Sequence, residues 1–423
     1  MISLSTLPNG LRVVTKRLEN TQAATVLILV RAGSRFETKQ INGISHFLEH
    51  MFFKGAKKYK TAREVSETID NIGGDFNAFT GKEYVGYYVK AAASHLDTSL
   101  DVLSDMLIHA TFDSAEIDKE RGVIMEEYNM YQDTPTYQIG WDFEQLVFGD
   151  QPMGWDQVGT RDVIMGLPRD EFVAFKQSLY VPKNIVISVA GNIQHEDIIE
   201  KVKRYFAELQ AAEPTRDQAV LLPLNTAKRV FLRERKTEQS HICIGFPQVS
   251  EPEKDFWATK VLSVALGSGM SSRMFMNVRE DKGLAYYINS TAEGFTDCGL
   301  FTTNAGVDLK RIDLAIGAVI EEYTKIAEEN LSEKELTKTK EFIKGKTILK
   351  LEDSEEYAHL LGKYQVLYGY TKEPEEIQAA IDAVTIADVR RVAQATFDPA
   401  KMYLAVIGPY DDAGRFEKLI VAV

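Results

Sequence analysis

The chain has 423 residues, 44% of them hydrophobic and 26% charged, a balance typical of a globular protein with two to three domains. Its formal net charge of −13 disfavours nucleic acid as a partner, because the phosphate backbone is itself anionic. No apolar run approaches the ~18 residues that span a bilayer, and the first residues lack the segments of a signal peptide. Two cysteines are too few for a disulfide framework or a cysteine-bound metal. We therefore expect a cytoplasmic protein with no membrane or nucleic-acid partner.

The first half of the chain predicts strands and helices in separate groups. LRVVTKR and AATVLILVRAG are rich in Val, Ile, Leu and Thr and predict two strands. The elements that follow are helical patterns at about 43–54 and 61–72, a hairpin around Thr80–Gly81, and amphipathic helices at about 95–110 and 114–131. This grouping favours an α+β fold over a doubly wound parallel sheet.

The second half repeats the design of the first. LYVPKNIVISVAGNI (179–193) and TFDPAKMYLAVIGPY (396–410) share an aromatic residue, a proline, and an apolar strand that ends in glycine. Pro182 and Pro399 lie 217 residues apart, which indicates duplicated domains rather than a solenoid. KRVFLRERK and HICIGFPQV then predict strands and FWATKVLSVALGSG a helix, as at the start of the chain.

These patterns predict an α+β protein of two duplicated domains, each a mainly antiparallel sheet packed with helices. The segment 211–228 carries two prolines and lacks helical periodicity, as expected for a linker. We therefore predict a first domain at 1–212, a linker at 213–226 and a second domain at 227–423.

A candidate metal motif lies in GISHFLEHMFFKG. On a helix, His46 and His50 share one face at i and i+4 and can chelate one ion. Two imidazoles leave a tetrahedral zinc in need of a third protein ligand. The spacing H-x-x-E-H is typical of inverted zincins, although an ordinary helix with two satisfied histidines is the alternative that this motif alone leaves open.

The segment SAEIDKERGVIMEEYNMYQ offers carboxylates for the third position. Glu120 and Glu127 are seven residues apart and share a helix face, whereas Glu126 is rotated by about 100° from Glu127. A pair of glutamates is often only a solvated charge run. Spacing alone therefore leaves the third ligand open.

HFLEHMFFKG followed by ERGVIMEE resembles the pitrilysin family of zinc metallopeptidases, in particular its mitochondrial-processing-peptidase-like branch. The resemblance implies one zinc ion per chain, bound by His46, His50 and Glu127. Because the gap from His50 to Glu127 is one residue longer than is typical of the family, Glu126 stays an alternative ligand.

The resemblance also implies the roles of two further glutamates. Glu49 would be the catalytic base, since its carboxylate reaches a water held opposite the two histidines. Glu120 would orient a ligand histidine or the water from outside the ligand set. The expected reaction is hydrolysis of peptides or unfolded polypeptide segments by an endopeptidase.

Substrate-binding residues are implied in both halves. In the family, an Arg and a Tyr in the pattern R-x-x-x-GL-x-Y contact substrate, and MNVREDKGLAYYINS places them at Arg279 and Tyr286. Asn77 and Ala78, in NAFT, would belong to an edge strand that binds the peptide by β-addition. Similar chains pair to enclose a chamber, so we expect a homodimer with composite active sites.

A non-enzymatic function is the alternative. Relatives with this fold serve as structural or partner subunits, and such chains usually lose the H-x-x-E-H set or the distal glutamate. This chain keeps both, which favours the enzyme. Sequence leaves open whether the enzyme processes targeting sequences or degrades peptides in general.

Overall fold

The computed structural model describes residues 2–421. Its strands are β1 (Ile2–Thr6), β2 (Arg12–Arg17), β3 (Ala23–Val30), β4 (Asp75–Thr80), β5 (Val85–Ala92), β6 (Ile185–Gly191), β7 (Val230–Glu234), β8 (Ser240–Gln248), β9 (Ala285–Gly294), β10 (Gly299–Val307) and β11 (Tyr403–Gly408).

The helices begin with α1 (Ile44–Phe52), which carries the candidate metal motif. The others are α2 (Ala62–Asp70), α3 (Leu96–His109), α4 (Ser114–Asp133), α5 (Pro135–Phe148), α6 (Arg161–Gly166), α7 (Arg169–Leu179), α8 (His195–Tyr205), α9 (Phe256–Gly267), α10 (Ile312–Glu328), α11 (Glu333–Leu351), α12 (Ser354–Tyr368), α13 (Pro374–Ala383), α14 (Ile386–Thr396) and α15 (Ala413–Val421). Met274–Asp281 forms a π-helix. Within residues 2–421, no helix combines the length and the apolar character needed to cross a membrane.

The chain divides into two compact units, and each unit draws on both halves of the sequence. Unit 1 consists of the chain up to Asn129, Asp156–Val220 and Ile348–Glu373, and unit 2 of Met130–Trp155, Leu221–Thr347 and the chain from Pro374 onward. The boundaries expected from the sequence (1–212, 213–226 and 227–423) follow the internal repeat and stay a prediction.

Unit 1 is built on a six-stranded sheet of order β1-β2-β6-β3-β5-β4. Only β2 and β6 run parallel, and the other neighbours are antiparallel. Helix α12, which comes from the second half of the sequence, packs on this sheet. Its Ala358 and Leu361 share an apolar cluster with Leu27 and Leu29 of β3, and a Cβ at Gly362 would collide with Leu29. The helix therefore lies close against the strands.

Unit 2 is built on a five-stranded sheet of order β7-β11-β8-β10-β9. Its single parallel pair is β7 with β11, and the rest is antiparallel. Helix α5, which comes from the first half of the sequence, packs on this sheet through Phe143 and Leu146, in a cluster with Cys243 and Ala405. Each half of the sequence thus supplies one helix to the sheet of the other half. The predicted α+β class, with two similar and mainly antiparallel domains, is confirmed.

Candidate metal centre

A buried carboxylate fixes the beginning of α1. Glu37 accepts backbone hydrogen bonds from Gly43 (2.8 Å) and Ser45 (2.9 Å) and a side-chain bond from Asn42 (3.0 Å). A carboxylate at this end of a helix satisfies N–H groups that have no partner within the helix. Gly43 has φ of 96°, and a Cβ there would collide with the Val158 carbonyl, so glycine is required. These contacts orient the helix that carries the histidines.

Three potential ligands converge in unit 1. His46 and His50 lie one turn apart on α1, and Glu127 lies on α4. Glu127 Oε1 is 3.5 Å from His46 Nε2, and Oε2 is 3.3 Å from His50 Nε2. One ligand atom from each residue lies within 4.8 Å of the others. Glu126, by contrast, is exposed and lies outside this cluster.

The nitrogen–oxygen distances in the cluster are of the size found around a tetrahedral zinc ion. Two ligands held about 2.0–2.2 Å from such an ion lie about 3.3–3.6 Å from each other, and the two nitrogen–oxygen distances, each to a different oxygen of Glu127, are 3.3 and 3.5 Å. Two imidazoles and one carboxylate are also a donor set that zinc enzymes use. The cluster is therefore a good candidate for a zinc site.

Glu120 and Lys54 support His50 from outside the cluster. Glu120 is 4% exposed and accepts a hydrogen bond from His50 Nδ1 at 2.9 Å, which leaves Nε2 as the ring nitrogen that faces Glu127. Lys54 Nζ contacts the other carboxylate oxygen of Glu120 at 2.6 Å. Burial opposes the charged form of Glu120, but hydrogen bonds from His50 and Lys54 outweigh it and lower the pKa of this carboxyl. Glu120 is thus held as an anion against the ring.

The electrostatics of the cluster favour a cation. Burial lowers the pKa of His50, but hydrogen bonds to Glu120 and Glu127 outweigh it and raise that pKa to about 9. Hydrogen bonds from His46 and His50 hold the pKa of Glu127 well below its usual value. Glu127 therefore presents negative charge to Nε2 of both rings, and Glu120 adds negative charge at Nδ1 of His50.

Glu49 and strand β4 lie beside the cluster. A cavity of about 340 Å³ is lined by Glu49, His50 and Glu127 together with Asn77 and Ala78. Strand β4 is at the edge of its sheet and pairs only with β5 among the described strands. Glu120 also lines it, so six of the residues predicted from the sequence share one cavity in unit 1.

Arg279 and Tyr286 lie in unit 2. Arg279 is in the last turn of the π-helix, over the Phe275 ring at 4.5 Å. Tyr286 is 72% exposed, near the start of the edge strand β9. The metal cluster and the Arg–Tyr pair therefore belong to different compact units.

Three further residues that support the site, Glu37, Lys54 and Thr80, were not predicted from the sequence. Lys54 lies beyond the end of α1 and contacts Glu120 of α4, so helical spacing does not predict its contact. Thr80 donates a hydrogen bond to Glu49 at 2.6 Å across 31 positions of the sequence. No local pattern predicts that contact, or the bonds from Glu37 to the start of α1.

Comparison with known proteins identifies the family. Residues 12–144 match the family described as insulinase (peptidase family M16), and residues 166–342 match the family described as peptidase M16 inactive domain. An uncharacterized zinc protease of Streptomyces coelicolor is 37% identical over 413 residues, which cover 96% of this chain and 90% of that protein. The chain belongs to the M16 peptidase family. The pitrilysin-family assignment made from the sequence motifs is thereby confirmed.

Other M16 relatives match over almost the whole chain. An uncharacterized zinc protease of Bacillus subtilis is 36% identical over 97% of this chain and 98% of its own length. A crystal structure of a protease from Helicobacter pylori superposes with a TM-score of 0.90 at 24% identity, over 97% of this chain and 99% of that one. A crystal structure described as a peptidase M16 inactive domain, from Pseudomonas fluorescens, gives 0.86 at 16% identity, over 97% and 98% of the two chains. These two structures share the fold.

Proposed function

We propose that this chain is a zinc-dependent endopeptidase. His46, His50 and Glu127 would bind one zinc ion per chain, and Glu49 would be the catalytic base. The observation that carries the proposal is the convergence of three ligand atoms within 4.8 Å, beside a cavity that Glu49 also lines. The names of the relatives from Streptomyces and Bacillus, both zinc proteases, support the same function.

The proposed peptide hydrolysis would need the zinc ion, Glu49, and Glu120 with Lys54. Zinc, when bound, acidifies water and polarises a peptide carbonyl. Glu49 would accept a proton from the attacking water and deliver it to the leaving amine. Glu120, held by Lys54, would keep His50 Nδ1 protonated and its Nε2 directed at the metal.

Strand β4 supports an extended peptide as substrate. Its outer edge has no strand partner among the described residues, so the main-chain groups around Asn77 and Ala78 can pair with a peptide by β-addition. This mode needs an extended backbone, which peptides and unfolded segments provide. Arg279 and Tyr286 would contact peptide carbonyls and stabilise the oxyanion.

We further propose a homodimer that encloses the substrate in a chamber, in the processing-peptidase-like branch of the family. The Arg279 and Tyr286 side chains of one copy would complete the zinc site of the other. A cytoplasmic location fits the two cysteines, Cys243 and Cys298, which are both buried and free.

The second candidate function is a non-catalytic partner subunit. The observation in its favour is the inactive-domain description of the family matched by residues 166–342. That span contains none of the proposed zinc ligands and not Glu49, which all fall within the match at 12–144. The two functions predict different metal contents: the peptidase carries bound zinc, and the non-catalytic partner subunit does not.

Digestion of a peptide library by the pure protein tests the proposed function. We expect cleavage by the zinc-loaded protein, loss of cleavage in a chelator, and recovery when zinc but not magnesium is added back, because two imidazoles favour zinc over magnesium. Full activity of metal-free protein would contradict zinc catalysis. A protein without bound zinc and without cleavage would support the partner-subunit function.

Complementation tests the composite site. Glu49→Gln and Arg279→Ala chains, each impaired alone, should form heterodimers with one intact site, and each heterodimer should have about half the activity of the wild-type dimer. The matched control mixes Glu49→Gln with Glu127→Ala chains. Both changes are in the half of the chain that carries the proposed zinc ligands, so neither site of the heterodimer is intact and no activity should return. Proven heterodimers of the first pair without recovery would place the complete site within one chain.

A further inference from the structure

The hydroxyl of Thr80 contacts the proposed catalytic base. Thr80 is the last residue of β4, and its Oγ1 donates a hydrogen bond to Glu49 Oε2 at 2.6 Å. The distance is in the range of strong bonds from hydroxyls to carboxylates. A hydroxyl has one proton to donate, and its only other acceptor within residues 2–421, the Ser45 carbonyl, lies farther away at 3.5 Å. The Thr80 hydroxyl therefore donates its hydrogen bond to Glu49.

The two oxygens of Glu49 are in different situations. Oε2 is held by Thr80, whereas Oε1 has no hydrogen-bond partner among residues 2–421. Glu49 also lines the cavity that the proposed metal ligands His50 and Glu127 share. One oxygen is thus anchored to the sheet, and the other is available to a water molecule. A flexible glutamate without such an anchor would divide its time among several rotamers.

We propose that Thr80 is the positioning residue of Glu49 and that it ties the base to the strand that binds the peptide. This inference rests on the proposed peptidase function. Ala78 and Thr80 are two positions apart on β4 and point to the same face of the sheet. A peptide paired with the main chain near Ala78 is therefore aligned by the same strand that fixes the carboxylate. Strand β4 would thus position both the scissile bond and the base.

The test compares Thr80→Val with Thr80→Ser. Valine keeps the shape of threonine and removes the hydroxyl, so kcat should fall about 10- to 100-fold, the range for loss of a hydrogen bond to a charged group. KM should stay unchanged, because the bond acts on the base and not on substrate affinity. Serine keeps the hydroxyl and should restore most of kcat. Bound zinc and the Kd of an uncleaved peptide analogue should match wild type in both variants.

Thr15→Val is the matched control. Thr15 lies on β2 of the same sheet, and its hydroxyl contacts the His195 ring at 2.8 Å, far from the candidate site in the strand order. Loss of that hydroxyl should leave kcat and KM unchanged. In addition, Glu49→Gln/Thr80→Val should be no slower than Glu49→Gln alone, since Thr80 acts through Glu49.

Several outcomes would overturn the inference. Thr80→Val with wild-type kcat, Thr80→Ser as slow as Thr80→Val, or a rise in KM without a fall in kcat would each show that the hydroxyl does not position the base. A double variant clearly slower than Glu49→Gln would separate Thr80 from Glu49. A wild-type protein that carries zinc and cleaves nothing would instead refute the proposed function, and the inference with it.

Discussion

Glu49→Gln is expected to keep its zinc and to cleave peptides at least ~10²–10⁴-fold more slowly, the range for a lost general base. The amide has nearly the same shape and can still accept the hydrogen bond from Thr80, so the packing of α1 should persist. It cannot accept the proton of the attacking water. Zinc content by elemental analysis and kcat on a fluorogenic peptide check the two halves of this expectation.

Glu126→Gln is the control for the change in charge. Glu126 is exposed on α4, next to Glu127 in sequence and outside the cluster. Its conversion should leave kcat close to wild type. Near wild-type turnover in a Glu49→Gln protein that carries a full equivalent of zinc would remove Glu49 from the mechanism.

Replacement of His46, His50 or Glu127 by alanine is expected to remove most of the bound zinc. Changes to residues that only support a metal ligand cost about 10- to 100-fold in affinity, so loss of a direct ligand should cost at least as much. The loss of peptidase activity should follow the loss of metal. Titration with a competing chelator gives the affinity, and circular dichroism shows whether the fold is retained.

Glu126→Ala serves as the matched control, because it shortens a solvent-exposed glutamate on α4, the helix that also carries Glu127. This variant should bind zinc as tightly as wild type. If Glu127→Ala kept its full equivalent of zinc while Glu126→Ala lost it, the third ligand would be Glu126, the alternative that the spacing after His50 left open.

The sequence predicted those parts of the fold that depend on neighbouring residues. The β-branched run at Ala23–Val30 and the apolar strand at Ile185–Gly191 form buried strands, because their side chains suit a sheet wherever it lies. The placement of α5 and α12 was not predicted. Each packs on a sheet built mainly by the other half of the sequence, and periodicity tells which face of a helix is apolar but not which sheet will cover it.

The candidate site likewise has a part that the sequence predicts and a part that it does not. His46, Glu49 and His50 share one helix, so their spacing alone described their geometry. Glu127 came from the family resemblance, because a helix pattern does not show what it faces across the fold. The contact of Thr80 with Glu49 depends on how the edge strand lies against α1. Long-range contacts of this kind have no signal in a single sequence.

The exchange of α5 and α12 bears on the ancestry of the chain. If the two halves arose by duplication, a half-length precursor with this topology would have needed a second copy to cover Leu27 and Leu29 with its helix. Fusion of two such copies in one chain would make that association intramolecular and independent of concentration. The two halves of the present chain differ in their motifs, since H-x-x-E-H occurs only in the first.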